Sequence, residues 1–175
     1  MTEITLHAAQ RDDREVLDRL MQLYLHDFSE WLPLKLGERG FFDVPPTWDY
    51  WDAADTQAFL VRVSGELAGF IAVDRNVQLS GAEYNISYFF LARRWRGQGV
   101  AQLVVSALLS RLPGQWQIFH LDANLAAGRF WARVMPLLTD GAFSRHRQAL
   151  DRYPCTFYRF ESSPPHTKTG LSDNM

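Results

Sequence analysis

Apolar residues recur along the chain in two rhythms, one of period two and one of three to four. Ile4–Ala8 alternates weakly and predicts a short first strand. Leu17, Leu20, Met21, Tyr24, Leu25 and Phe28 then recur at helical spacing. That predicts an amphipathic helix from about residue 12 to residue 31, with Asp12 or Asp13 capping its start and Pro33 stopping it. Residues 58–63 and 67–74 read as two strands around the turn Ser64-Gly65-Glu66, and residues 85–92 as a longer apolar strand. A helix is predicted over 97–111, burying Val100, Leu103, Val104, Ala107 and Leu108 and ending at Pro113-Gly114. A strand over 115–122, a helix over 124–138 with Pro136 in its last turn, and strands over 143–150 and 156–160 complete the pattern. The strand–helix–strand run from 85 to 122 should be a parallel, right-handed crossover. The whole order predicts one α/β domain, a sheet layered by helices, over residues 1–161. The polar, Pro-containing run 162–175 is expected to be a disordered tail.

Between the first helix and the second strand lies GERGFFDVPPTWDYWDAADT, residues 37–56, punctuated by Gly, Pro and acids. Its Phe41, Phe42, Trp48, Tyr50 and Trp51 are either a lid over the core or the wall of a binding pocket.

Composition narrows the class. The chain has 175 residues, 47% hydrophobic and 22% charged, the profile of one soluble domain. A single cysteine, Cys155, excludes a disulfide framework and a cysteine-based zinc cluster. The five histidines are scattered without ligand spacing, so no metal is expected. No run approaches the ~20 apolar residues of a membrane span, and the first residues lack a signal peptide's basic start and apolar core. The expectation is a cytoplasmic protein with no membrane partner.

The formal net charge of -2 argues against a nucleic-acid partner. The charge is unevenly placed, however. From Tyr84 to Leu121 there is no acid, only Arg93, Arg94, Arg96 and Arg111. From Gly37 to Thr56, Glu38, Asp43, Asp49, Asp52 and Asp55 face Arg39 alone. A basic segment beside an acidic one suggests two partners of opposite charge.

Arg94-Trp95-Arg96-Gly97-Gln98-Gly99-Val100-Ala101 stands between the apolar strand and the next helix. Such a run is built for an anion. Glycines let main-chain N–H groups approach a phosphate, the helix start adds unpaired donors, and Arg94 and Arg96 can add charge-assisted bonds. There is no Gly-Lys pair for a Walker loop, and a GxGxxG fingerprint fails at Gln102, so ATP and NAD are poor candidates.

The run resembles the acyl-coenzyme A loop of the GNAT superfamily of N-acyltransferases: Gln or Arg, two residues, Gly, one residue, then Gly or Ala. It fits in two registers, Arg94 with Gly97 and Gly99, and Arg96 with Gly99 and Ala101. Phe89-Phe90-Leu91 stands where that family's cofactor strand ends. Asn124-Leu125-Ala126-Ala127-Gly128-Arg129-Phe130-Trp131 is similar to its second helix start. The element order agrees over nearly the whole chain. The resemblance implies a mixed, mostly antiparallel sheet with a central parallel pair, flanked by helices. It implies acetyl transfer from acetyl-CoA (or another acyl-CoA) to a primary amine by direct attack, the acceptor being a small molecule or peptide. A module that binds acyl-CoA without transferring it is the alternative. The family's frequent dimers extend the expectation to a homodimer.

Residue roles follow from the resemblance. Main-chain N–H groups from Gly97 through Gln98, Gly99 and Val100 to Ala101 would hold the diphosphate. Phe89, Phe90 and Leu91 would pair with the pantetheine, and Asn124 would contact that arm or cap the helix. Many relatives place a Tyr on the second helix to protonate the leaving thiolate. Trp131 stands there instead, as a core or cofactor-stacking ring, because an indole N–H is too weak an acid. Tyr88, Tyr153 and Tyr158 are possible replacements. Glu83, His120 and Asp122 are the candidate bases, and each also has a plain structural reading. Trp48, Asp49, Tyr50, Trp51 and Asp52 would bind the acceptor, since carboxylates beside aromatic rings suit a cationic amine.

Overall fold

The structure, a computed structural model, describes residues 3–43 and 48–163, and the backbone alone of residues 48 and 49. Seven strands are present: β1 (Ile4–Ala8), β2 (Gln57–Val63), β3 (Glu66–Asp74), β4 (Tyr84–Leu91), β5 (Gly114–Leu121), β6 (Phe143–Leu150) and β7 (Tyr153–Ser162). Four helices accompany them: α1 (Arg14–Phe28), α2 (Trp48–Asp52), α3 (Val100–Arg111) and α4 (Leu125–Leu138). The strands form one sheet in the order β1-β2-β3-β4-β5-β7-β6. Every neighbouring pair is antiparallel except β4 with β5, the pair joined through α3. This is the mixed, mostly antiparallel sheet with a central parallel pair that the element order implied.

The helices cover both faces. Leu17, Met21 and Leu25 of α1 pack on Leu60, Phe70 and Phe90. On the other face, Val104, Val105 and Leu108 of α3 and Trp131 and Met135 of α4 pack on Val61, Ile71, Ile86 and Ile118. The apolar stripes of period 3.6 are thus the buried ones. Among the described residues no helix is long and apolar enough to cross a membrane.

The boundaries differ from the expectations for local reasons. Residues 11–13 form a 3-10 turn, in which the Asp13 carboxylate accepts from the Gln10 amide rather than capping α1. α1 stops at Phe28, three residues before the expected end. The amides of Trp31 and Leu32 both turn back to the Phe28 carbonyl ahead of Pro33, which disfavours a helical residue before it. A single turn of helix, α2, lies in the segment read as a loop. β7 begins at Tyr153 and runs to Ser162, whose hydroxyl donates to the Leu109 carbonyl at 2.8 Å. The expected disordered tail from residue 164 onward lies outside the described residues.

β4 and β5 pair at only two positions, Tyr84 with Trp116 and Asn85 with Gln117, and then part. A bulge accounts for the parting. Val73 faces Ile86 and Ala72 faces Tyr88, so Ser87 has no partner on β3. One extra residue bends the strand that carries it. Below the fork, buried polar groups hold the strands together. Asn85 donates to Asp74 at 3.1 Å, Gln117 donates to Asn85 at 3.2 Å, and the Gln117 carbonyl accepts from the amides of Gln78 and Leu79.

Candidate active site

The fork opens into a cleft of about 560 Å³ that passes through the sheet. Phe89, Phe90 and Leu91 line one side, and Ile118, Phe119, His120 and Leu121 the other. Tyr24, Asp27, Phe28 and Trp31 close it from the α1 face, while Asn124, Ala127, Phe130 and Trp131 close it from the α4 face.

Arg96, Gly97 and Ala101 form its far wall. Gly97 and Gly99 have φ of +74° and +80°, left-handed values that glycine adopts without strain, and they hold the chain out of the helix until Val100. A Cβ built on either would meet nothing within 4 Å, so the turn is open. Among the described residues no protein acceptor is found for the amides from Gly97 to Gln102; the first bond of the helix is Leu103 to the Gly99 carbonyl. Six main-chain donors and the positive end of α3 therefore converge on one open place.

The arginines are arranged differently from the expectation. Arg94 pairs with Glu66 at 2.8 Å and lies 4.7 Å over the Trp95 ring, and it is not a cleft residue. Arg96 donates to the Leu91 carbonyl at 2.7 Å and to Asp27 at 2.5 Å, with Arg93 on the other Asp27 oxygen at 3.1 Å. Burial acts to raise the Asp27 carboxyl, but the hydrogen bonds from Arg96 and Arg93 outweigh it and hold the group below the usual range. Arg96 thus ties the end of β4 and the turn to α1. Gln98 folds back onto the Arg94 carbonyl.

Asn124 caps α4 by accepting from the Ala127 amide at 2.9 Å. Trp131 is buried, its ring edge-on to Phe130 at 4.7 Å. The His120 ring lies against α4, where a Cβ on Gly128 would stand 3.2 Å from it. Its Nδ1 is 2.9 Å from the Leu121 carbonyl. A carbonyl only accepts, so Nδ1 carries the proton and Nε2 keeps its lone pair.

Of the other candidate bases and acids, none lines the cleft. Glu83 stands before β4, at the closed end of the strand pair, where its carboxylate accepts from the Gln115 amide at 3.2 Å. At strand rise that is roughly 13 Å along the chain from the bulge. The Asp122 carboxylate is turned toward β6 and β7, so strand alternation does not bring it beside His120 in the cleft. Hydrogen bonds from Thr156 and Arg147, at 2.7 Å each, hold it below the usual range. Tyr153 accepts from Arg152, and burial pushes the Tyr158 phenol up.

The acceptor candidates fall on the α1 face. The Asp52 carboxylate is taken by Arg14 of α1, and the Trp51 indole donates to Asp18 at 3.2 Å. The side chains of Trp48 and Asp49 lie outside the described residues. Tyr50 and Tyr88 meet edge to face at 5.5 Å, and Tyr88 meets Tyr24 at 5.4 Å. Burial pushes up the phenols of all three. Two residues that the sequence did not mark join them. Asp74, buried under Tyr50, accepts from its phenol at 2.9 Å, and the Ser87 hydroxyl lies 2.5 Å from the same oxygen.

A splayed parallel pair with an open glycine turn facing the gap invites comparison with known proteins. Residues 17–135 match the model of the acetyltransferase (GNAT) family. The chain belongs to the GNAT family of acetyltransferases. A search of curated proteins finds no match. Among solved structures, a GNAT acetyltransferase from Thermus thermophilus is 14% identical, with a TM-score of 0.62 over 90% of this chain and 96% of that one. A spermidine N-acetyltransferase from Vibrio cholerae, solved with CoA and spermine, is 13% identical, with a TM-score of 0.62 over 91% and 96%. An aminoglycoside acetyltransferase solved with coenzyme A is 15% identical, with a TM-score of 0.63 over 91% and 95%. At these identities the GNAT likeness is one of fold.

Proposed function

We propose that this protein is an acyl-CoA-dependent N-acyltransferase, most simply an acetyltransferase, acting on a primary amine in a ternary complex. The observation that carries the reading is the row of unpaired amides from Gly97 to Gln102 at the mouth of the β4–β5 fork. They are the donors for the diphosphate. The pantetheine arm lies in the fork beside Phe89, Phe90 and Leu91, with Asn124 and Trp131 behind it. Arg96 serves by bracing the turn, since its donors are committed to Asp27 and Leu91.

The amine enters from the α1 face, where Tyr24, Phe28 and Trp31 line the cleft. Aromatic faces attract a cation, and of the relatives, one was solved with spermine. With Asp52 held by Arg14, the rings rather than the acids of the 37–56 segment supply this attraction. Holding amine and thioester in one cleft removes most of the entropic cost of bringing them together. The nitrogen attacks the carbonyl carbon, the carbon–sulfur bond breaks, and the CoA thiolate leaves. Trp131 cannot protonate it, so solvent does.

The test is CoA thiol release with acetyl-CoA and a panel of primary amines, beside a titration of CoA alone. Amine-dependent thiol release is the expected result. Saturable CoA binding without release across the panel would favour a binding module, and no binding at all would overturn the site.

A further inference from the structure

An amine that is to attack a thioester must first lose the proton it carries at neutral pH, and the acid–base residues nearest the fork differ in which face they serve. His120 packs against α4, the face assigned above to the CoA arm. Glu83 and Asp122 are committed elsewhere. On the α1 face, one chain of polar atoms runs from the cleft into the interior. Ser87 lines the cleft, its hydroxyl is 2.5 Å from the Tyr50 oxygen, and that oxygen is 2.9 Å from Asp74 Oδ2.

Resting on the acyltransferase reading, we infer that Ser87, Tyr50 and Asp74 form the proton relay that deprotonates the acceptor amine. The hydrogen count gives the relay its direction. Asp74 accepts from Tyr50 through one oxygen, and from Asn85 and the Asn76 amide through the other, so it is set up as the anion. Tyr50 has one hydrogen and spends it on Asp74. Its oxygen must then accept from Ser87, the alternative seat for that hydrogen being the Ala72 carbonyl at 3.1 Å. The Ser87 oxygen is left as an acceptor at the wall of the cleft.

When the ammonium proton passes to Ser87, the Ser87 proton passes to Tyr50 and the Tyr50 proton to Asp74. The nitrogen keeps its electron pair for the carbonyl carbon. After acyl transfer the nitrogen's second proton goes to solvent, the thiolate takes one from solvent, and Asp74 returns its proton along the same chain. One proton is released overall. Burial and the Asp74 charge, against a smaller lowering from Ser87, push the Tyr50 phenol up, so it passes a proton without resting as phenolate. Ser87 is the catalytic residue here; Tyr50 and Asp74 act through it. The bulge is what puts Ser87 in this position, because without the extra residue strand alternation would set position 87 otherwise. The titratable groups packed around the relay are Tyr24 from α1 and Tyr88 from β4; across the cleft stand Asp27, paired with Arg93 and Arg96, and His120.

The experiment compares wild type with Tyr50→Phe, which keeps the ring and removes the relay oxygen. The probes are acetyl-CoA with spermidine, kanamycin and ethylamine, followed by thiol release between pH 6 and pH 10. CoA affinity is measured alongside. The expected result is CoA binding within about twofold of wild type, and kcat/KM at pH 7 down by about 100-fold, the scale of general-base loss. The deficit should shrink toward pH 10, where the amine sheds its proton unaided. Ser87→Ala should behave alike, and Tyr50→Phe combined with Ser87→Ala should cost little more than either alone. A deficit equal at every pH, or none, in both single variants would overturn the relay while leaving the transferase intact. Wild type that binds CoA yet releases no thiol with any amine would instead overturn the transferase reading, and the relay with it.

Discussion

Arg96 Nε lies 2.7 Å from the Leu91 carbonyl while its Nη2 reaches Asp27 at 2.5 Å, so one side chain fastens the last residue of the cofactor strand to α1. The arginine of a basic, glycine-rich run reads naturally as a ligand for phosphate. Here its geometry makes it a brace for the turn whose amides do the binding.

Gly99 is where that turn is most exposed to test. At φ +80° a side chain costs about 1–2 kcal/mol of backbone strain, yet a Cβ meets no atom. Gly99→Ala should therefore fold, lose about that much stability in urea unfolding, and still bind CoA. Gly99→Asp should lose CoA binding as well, because it sets a carboxylate against the diphosphate. Equal CoA affinity in Gly99→Asp and wild type would place the diphosphate elsewhere.

Gly69 answers to a different constraint. A Cβ there would stand 1.9 Å from the Phe90 carbonyl oxygen, so β3 and β4 can approach only because the side chain is missing. Gly69→Ala must push the end of β4 aside, at a cost of about 1–3 kcal/mol for an overpacked site. Denaturant unfolding gives the loss. CoA affinity should fall with it, since Phe90 and Leu91 line the cleft.

What could be read from the residues was what depends on short spacing. The stripe from Leu17 to Phe28 foretold the buried face of α1, and Gly97 with Gly99 foretold an open turn. The fork and its polar chain were not legible. Nothing in YNISYFFL marks Ser87 as the residue without a partner, because a bulge is a property of two strands and their register. Asp74 looked like a strand end, and only the fold sets Tyr50 over it. Asp52 seemed free to receive an amine because its partner, Arg14, is 38 residues away. α2 is one turn long, too short for any period to show.

Asn124 makes a separable prediction, since it caps α4 and also lines the cleft. Asn124→Ala should cost about 1 kcal/mol of stability, the usual worth of a cap. Asn124→Asp keeps an accepting oxygen for the Ala127 amide and should recover most of that loss. If CoA affinity falls in Asn124→Ala and is not recovered by Asp, the amide group contacts the ligand. If it tracks stability in both variants, the cap is the residue's whole role.

The pair of arginines on Asp27 makes stability depend on pH in a defined direction. The Asp27 carboxyl lies below its ordinary range in the folded chain because Arg96 and Arg93 donate to it, outweighing the effect of burial. A carboxylate favoured by folding contributes stability fully above its unfolded value of about 3.9. The contribution is lost as the pH falls through that value and on through the lower folded one. Wild type should therefore exceed Asp27→Asn at pH 7, by about 1 kcal/mol for a pair that solvent partly screens. The margin should hold down to about pH 5 and close below it. Urea midpoints for both proteins at pH 7, 5 and 3.5 measure this, and a margin that widened on acidification would show that the clamp does not stabilise the anion. Loss of the same clamp should loosen the turn, so Asp27→Asn should also bind CoA more weakly than wild type at pH 7, where the fold itself is intact.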